Sequence, residues 1–171
     1  VGNTPLIKLS DKLYGKLESV NPGGSIKDRP VKYILDSYES QGLIKKGDTI
    51  IEATSGNTGI SLAMMCAERG YKCIIVMPSD MSEERKKMID FFGAKMVLVE
   101  EGDFDGAIEL KCNMAKQWGY VELNQFSNPL NIVRCNCSFV YLNPRPTLSH
   151  ISKYYSADYF PHKKNIFLNF L

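Results

Sequence analysis

At 171 residues, 44% hydrophobic and 23% charged, the chain is long enough for one domain with a real core, which excludes collagen-like, fibrous and wholly disordered polypeptides. Its 21 basic residues against 19 acidic ones leave a net charge of +2, too little to argue for nucleic acid or an anionic membrane surface as partner. Apolar runs such as Cys73 to Pro78 fall far short of the roughly 20 residues of a membrane span, and no basic-then-apolar leader opens the chain, which therefore reads as soluble.

In chain order, the first helical pattern runs from Pro30 to Glu39, where Val31, Ile34, Leu35 and Tyr38 recur at the i, i+3, i+4, i+7 spacing of one buried face. Pro30 suits a first turn, where the missing N–H would have no partner anyway. Strand-like apolar runs follow at Thr49 to Ala53, Lys72 to Met77, Lys95 to Val99 and near Tyr120 to Leu123. Helical patterns separate them: Ile60 to Arg69 closed by Gly70, Ser82 to Phe92 closed by Gly93, and Asp105 to Trp118 closed by Gly119. A glycine just past a helix is the expected stop. Strands alternating with helices at about 25-residue intervals predict right-handed crossovers and an α/β fold, a three-layer open parallel sheet with flanking helices.

Five cysteines, Cys66, Cys73, Cys112, Cys135 and Cys137, form no C-x-x-C pair, and their odd number suits reduced thiols in a cytoplasmic compartment. Cys66 in an apolar helix and Cys73 in an apolar strand read as buried, inert thiols. Cys135 and Cys137 with His150 and His162 lack zinc-finger spacing, so no metal site is expected. After Asn131 the chain changes character. All 13 glycines precede that point, while the last 40 residues hold eight of the 18 aromatics and a single acidic residue, Asp158. Pro144, Pro146 and Pro161 interrupt this stretch, and no helical or alternating period persists. Residues 1–131 read as an α/β domain, and 132–171 as a divergent tail with the composition that A/T-rich coding DNA yields when read out of frame.

Two constellations carry possible chemistry. Asn21-Pro22-Gly23-Gly24-Ser25-Ile26-Lys27-Asp28-Arg29 is a tight glycine turn that delivers a lysine onto the start of the first helix. The positive end of a helix disfavours an ammonium and so favours the neutral amine that Schiff-base chemistry needs. A loop lysine pointing into water is the plainer alternative. Thr54-Ser55-Gly56-Asn57-Thr58-Gly59 lies between the strand and the helix from Ile60, at the carboxyl end of a parallel strand, where open α/β sheets bind ligands. Its amides and hydroxyls suit a carboxylate or phosphate. It is neither a P-loop nor a dinucleotide fingerprint, and six small polar residues exceed what capping a helix needs.

Together with Val1 to Leu6, Lys16-Leu17-Glu18, Met77-Pro78, Met81-Ser82, Glu84-Arg85, Phe92-Gly93-Ala94 and Gln125-Phe126-x-Asn128-Pro129, these runs resemble the cysteine synthase family of pyridoxal-phosphate enzymes over about residues 1–131. The resemblance is to the sulfhydrylase branch, which includes cystathionine β-synthases, and implies the small N-terminal domain of the fold-type II architecture. It implies that Lys27 holds pyridoxal 5'-phosphate through a Schiff base and, once released, serves as base at the substrate α-carbon. Asn57 would hydrogen-bond the cofactor's ring oxygen and line the substrate site. Thr54, Ser55, Gly56 and Thr58, with Gln125, would hold the substrate carboxylate. The implied reaction is β-replacement, in which acetate leaves O-acetylserine and sulfide adds to give L-cysteine, in a cytoplasmic homodimer. The family's second half also carries a glycine-rich cradle for the cofactor phosphate, which the glycine-free stretch after Gly119 does not match. Two expectations follow: an enzyme of this family whose full-length form makes cysteine, or a truncated, non-catalytic α/β module that binds a carboxylate weakly or pairs with an intact subunit.

Overall fold

The computed structural model describes residues 1–11 and 13–125, and the backbone of 131–134 and 140–143. Two units divide the chain, Val1–Ser127 and Asn128–Leu171. The first opens with an antiparallel hairpin of β1 (Leu6–Ser10) and β2 (Leu13–Lys16). Sequence patterning does not announce this hairpin, because Leu6, Leu9, Leu13 and Tyr14 are all exposed and no buried face imposes a two-residue alternation.

There follow α1 (Asp28–Ser40), β3 (Thr49–Ala53), α2 (Asn57–Arg69), β4 (Lys72–Pro78), α3 (Glu83–Phe91), β5 (Lys95–Val99), α4 (Phe104–Trp118) and β6 (Val121–Glu122). Strands β3 to β6 form one parallel sheet in the order β5-β4-β3-β6. The chain steps outward from β3 to β5 through α2 and α3, then α4 carries it back to β6 on the other side of β3. Right-handed crossovers that travel in opposite directions put their helices on opposite faces. The side chains agree: Ile50, Ile75 and Met77 join Val31, Leu35, Leu62 and Ile89 in one core, while Ile51, Ile74 and Val76 join Ala107 and Ala115 in the other. Successive strand residues thus bury on alternate faces, which is why these strands read as continuous apolar runs. This is the three-layer α/β architecture expected from the sequence.

All four expected helices lie close to their predicted limits, and α1, α2 and α4 start early. Helix α2 begins at Asn57 rather than Ile60, and α1 at Asp28 rather than Pro30. In both, residues that read as loop chemistry form the first helical turn, whose N–H groups have no partner within the helix. Gly70 and Gly119 end α2 and α4 in the left-handed region, their N–H groups donating to the carbonyls of Cys66 and Ala115. Cys66 and Cys73 are buried thiols, as expected. A hydrogen bond with Cys66, together with burial, holds the Cys73 thiol well above the usual thiol range, which keeps it protonated. Among the described residues, no helix is long and apolar enough to cross a membrane.

In the second unit, β7 (Asn131–Arg134) pairs antiparallel with β8 (Val140–Asn143), Ile132 opposite Leu142 and Val133 opposite Tyr141. The sequence predicts no element here. Strands of four residues are too short to display a period, and the propensity of β-branched and aromatic residues is the signal that remains. The other expectations for 132–171 lie outside the described residues.

Candidate active site

The lysine turn is built on a buried asparagine. Asn21 accepts from the Gly2 N–H at 2.9 Å, while its Nδ2 donates to the Glu18 carbonyl at 3.0 Å, to Glu18 Oε2 at 2.8 Å and to the Ser25 carbonyl at 3.2 Å. These bonds fold the Pro22–Ser25 turn back on the start of the chain. Glu18 also accepts from Arg29 Nε at 2.6 Å and Nη2 at 2.8 Å, a bidentate pair, and from the Thr4 hydroxyl at 2.7 Å. Burial pushes the Glu18 carboxyl up, but the hydrogen bonds from Arg29, Thr4 and Asn21 outweigh it and hold the group down at about 2. Because the folded value lies below the ordinary 4.5, this stabilisation is present above pH 4.5 and is lost as pH falls toward 2. Thermal unfolding followed from pH 6 to pH 2 is therefore expected to show a smaller acid loss in Glu18→Gln than in the wild type, by about 2 kcal/mol. Equal acid losses would contradict this role.

Lys27 caps α1 with helical backbone angles and an exposed side chain, its N–H donating to Ser25 Oγ at 3.1 Å. Among the described residues, no ion pair or hydrogen bond engages its amine. The next residue is its opposite: Asp28 is 0% exposed. Asp28 Oδ2 accepts from the Gly23 N–H at 2.6 Å, and its Oδ1 accepts from the Ser61 hydroxyl of α2. One buried carboxylate in the first turn of α1 therefore ties the glycine turn, the lysine-bearing helix and α2 together, and it also complements the positive end of α1.

The second constellation continues β3. The Thr54 N–H donates to the Val76 carbonyl at 3.0 Å, extending the β3–β4 pairing, and the Gly56 N–H turns onto Thr54 Oγ1 at 3.2 Å. Gly56 has φ +156°, and a Cβ there would lie 2.4 Å from Cδ of Arg85, a residue of α3 that donates to the Ser55 carbonyl at 3.2 Å. The first bond of α2 runs from the Ile60 N–H to the Gly56 carbonyl at 3.0 Å. The N–H groups of Asn57, Thr58 and Gly59 precede it, as at any helix start, and form an anion-seeking end. Ser55 and Asn57 are exposed beside them, and Thr58 is buried.

Gln125 follows β6, beside the carboxyl end of β3. The Thr58 hydroxyl donates to its Oε1 at 2.8 Å, and its Nε2 donates to Glu52 Oε1 and the Ala53 carbonyl, both at 3.3 Å. The structure thus brings Thr54, Ser55, Gly56, Asn57, Thr58 and Gln125 to the crevice where the strand order reverses, the usual ligand position of an open α/β sheet. The Asp28–Ser61 bond joins Lys27's helix to the same α2. Sequence reasoning overlooked Asp28, Glu52, Lys111 and the contact of Arg85 with Gly56. The signal for Glu52 was a lone charge inside an apolar strand; for Lys111 and Asp28, nothing local separates them from surface residues.

The donor set fits pyridoxal phosphate: an uncommitted lysine amine can hold the aldehyde, an exposed asparagine amide can meet a ring oxygen, and a helix N-terminus can receive a carboxylate. Among the described residues, no group of three or more His, Cys, Asp and Glu side chains is placed to hold a metal. The Cys135, Cys137, His150 and His162 set lies outside the described residues.

Residues 1–139 match the family described as pyridoxal-phosphate dependent enzyme. Cysteine synthase of Staphylococcus aureus (strain N315) is 44% identical over 139 residues, which cover 77% of this chain and 45% of that one. Cysteine synthase B of Escherichia coli (strain K12) is 44% identical over 139 residues, 77% of this chain and 46% of its own. Among solved structures, O-ureido-L-serine synthase superposes with TM-score 0.69 at 42% identity over 74% of this chain and 42% of that chain. A hydrogen sulfide-producing enzyme from Fusobacterium nucleatum gives TM-score 0.68 at 42% identity over 74% of this chain and 45% of its own. The chain spans less than half the length of these relatives. With the family matched over most of its residues and the same fold found in relatives of this similarity, the chain belongs to the pyridoxal-phosphate dependent enzymes.

Proposed function

We propose that the chain is the N-terminal part of a cysteine synthase-like enzyme that replaces the β-substituent of O-acetylserine by sulfide to give L-cysteine. The observation that carries this reading is the exposed, uncommitted Lys27 amine at the head of α1, tied by the buried Asp28–Ser61 bond to the helix that opens with the Thr54–Gly59 loop. Pyridoxal phosphate, when bound, supplies the sink for charge developing at the substrate α-carbon. Lys27 would hold the cofactor and, with its amine free, would carry the α-proton. Asn57 would offer its side-chain amide to the ring oxygen. The first-turn N–H groups of α2, with Thr54, Ser55, Gly56, Thr58 and Gln125 around them, hold and orient the substrate carboxylate, and the helix dipole favours its charge. Holding the carboxylate in one place would convert an encounter into a positioned reaction.

A second reading, a non-catalytic module that pairs with another subunit, is favoured by the exposed apolar side chains of the β1–β2 hairpin, Leu6, Leu9, Leu13 and Tyr14. The homodimer is a proposal that belongs with the first reading, for the full-length form. Cysteine formation from O-acetyl-L-serine and sulfide, with pyridoxal phosphate present, separates the two. The catalytic reading predicts a rate about tenfold or more above the free cofactor with the chain added. A rate equal to that of free cofactor would overturn catalysis by this stretch of chain on its own and leave the pairing module.

A further inference from the structure

We infer that Glu52 is a positioning residue for the substrate-carboxylate site: its buried carboxylate builds the turn at Asn124 and thereby sets Gln125 against Thr58 in the first turn of α2. This rests on the carboxylate reading of that loop.

The turn needs an outside anchor. Asn124 has φ +53°, in the left-handed region that non-glycine residues enter at a cost and asparagine enters most readily. Its N–H donates to Glu52 Oε2 at 2.8 Å, and its Oδ1 accepts from Lys111 Nζ at 3.2 Å. Just before it, the Leu123 N–H donates to the Ile51 carbonyl at 3.1 Å, and the Tyr38 hydroxyl of α1 reaches the Leu123 carbonyl at 3.1 Å. The segment is thus held from the sheet, from α1 and from α4, and Glu52, 2% exposed, stands at its centre.

Glu52 also fixes which way the Gln125 amide faces. Nε2 points at two acceptors, Glu52 Oε1 and the Ala53 carbonyl, so Oε1 is the atom turned toward the Thr58 hydroxyl. The opposite orientation would set an oxygen against both acceptors. A relay therefore runs from the end of β3, through Glu52 and Gln125, to Thr58, and ends at the N–H groups that receive the ligand. None of its members except Gln125 and Thr58 need touch the ligand.

The groups around Glu52 set how it responds to pH. Lys111 reaches it from α4 and is itself paired with Glu122 of β6 at 2.6 Å, with Cys112 of α4 hydrogen-bonded to that same Glu122. From β4 the neighbour in register is Ile75, which carries no charge. Burial pushes the Glu52 carboxyl up to about 7, against Lys111 and the N–H donors of Asn124 and Gln125, which pull it down. The carboxylate that accepts these N–H groups is therefore present above pH 7 and lost below it.

The test uses the 15N-labelled full chain, with the Gln125 side-chain NH2 pair assigned through Gln125→Ala, and L-serine as the α-carboxylate probe. In the wild type at pH 8 the Gln125 pair should stand apart from exposed glutamines and move toward them as pH falls through about 7. Glu52→Gln should place the pair among the exposed glutamines at every pH and weaken L-serine binding at pH 8 about tenfold, with Glu52→Asp recovering part of the loss. If Ser55→Ala and Asn57→Ala weaken binding while a folded Glu52→Gln does not, the inference is overturned and the carboxylate reading stands. If L-serine moves no signal of the loop in any form, the carboxylate reading has failed and this inference with it. Should Glu52→Gln fail to fold, the wild-type series decides: a Gln125 pair and an affinity that are flat between pH 5.5 and pH 8.5 overturn it, and a joint change through pH 7 supports it.

Discussion

Replacing Asp28 by alanine is expected to cost about 3 kcal/mol of stability, because it removes the acceptor of a buried hydroxyl and of a half-buried N–H at once. The Gly23 N–H and the Ser61 hydroxyl both bond to this fully buried carboxylate. The effect is local as well as global. With the bond to Ser61 gone, α1 loses its polar tie to α2, so amide exchange should quicken at Gly23 and in the first turn of α1 more than in β3 or β4. Asp28→Asn keeps the shape and one acceptor, and should cost about 1 kcal/mol less. Urea unfolding of the three forms checks this. A loss below about 1 kcal/mol in Asp28→Ala would show that the carboxylate does not hold the two loops together.

Gly56→Ala should be nearly as costly, about 2 to 3 kcal/mol, for two separable reasons. Its φ of +156° is rare for a side-chain-bearing residue, and the added Cβ would meet Arg85 Cδ at 2.4 Å and Nε at 2.6 Å. Adding Arg85→Ala removes the second reason and leaves the first. The double variant should therefore regain about 1 kcal/mol over Gly56→Ala alone, a coupling that unfolding curves of the two singles and the double resolve. Purely additive losses would mean that Arg85 swings aside freely and does not brace the loop.

What could be read from the sequence followed from burial on both sides of the sheet. Strands such as β3 (Thr49–Ala53) and β4 (Lys72–Pro78) sit between two cores, so largely apolar runs marked them, and helix-terminating glycines such as Gly70 and Gly119 fixed the spacing between them. The β1–β2 hairpin could not be read in this way, since its side chains face no core that would impose a pattern. The site divides along the same line. Lys27 and the Thr54–Gly59 run were legible because glycines and small polar residues cluster in one stretch of chain. Their scaffold was not: Asp28 meets Ser61 across 33 positions and Glu52 meets Asn124 across 72, and a single sequence holds no record of such pairings. Glu18 and Arg29 illustrate the intermediate case, present in the motif runs yet understood only once their bidentate pair and its bond to Thr4 are seen to brace the lysine turn.

On the proposed function this scaffold presents Lys27, and no other lysine, to pyridoxal phosphate. Borohydride trapping of the cofactor on the purified 171-residue chain, followed by peptide mapping, tests it most directly. The expected result is a single labelled peptide carrying Lys27, formed at low cofactor excess and reduced in Asp28→Ala. Label spread over exposed lysines such as Lys8, Lys45 and Lys72 in proportion to their accessibility would contradict it.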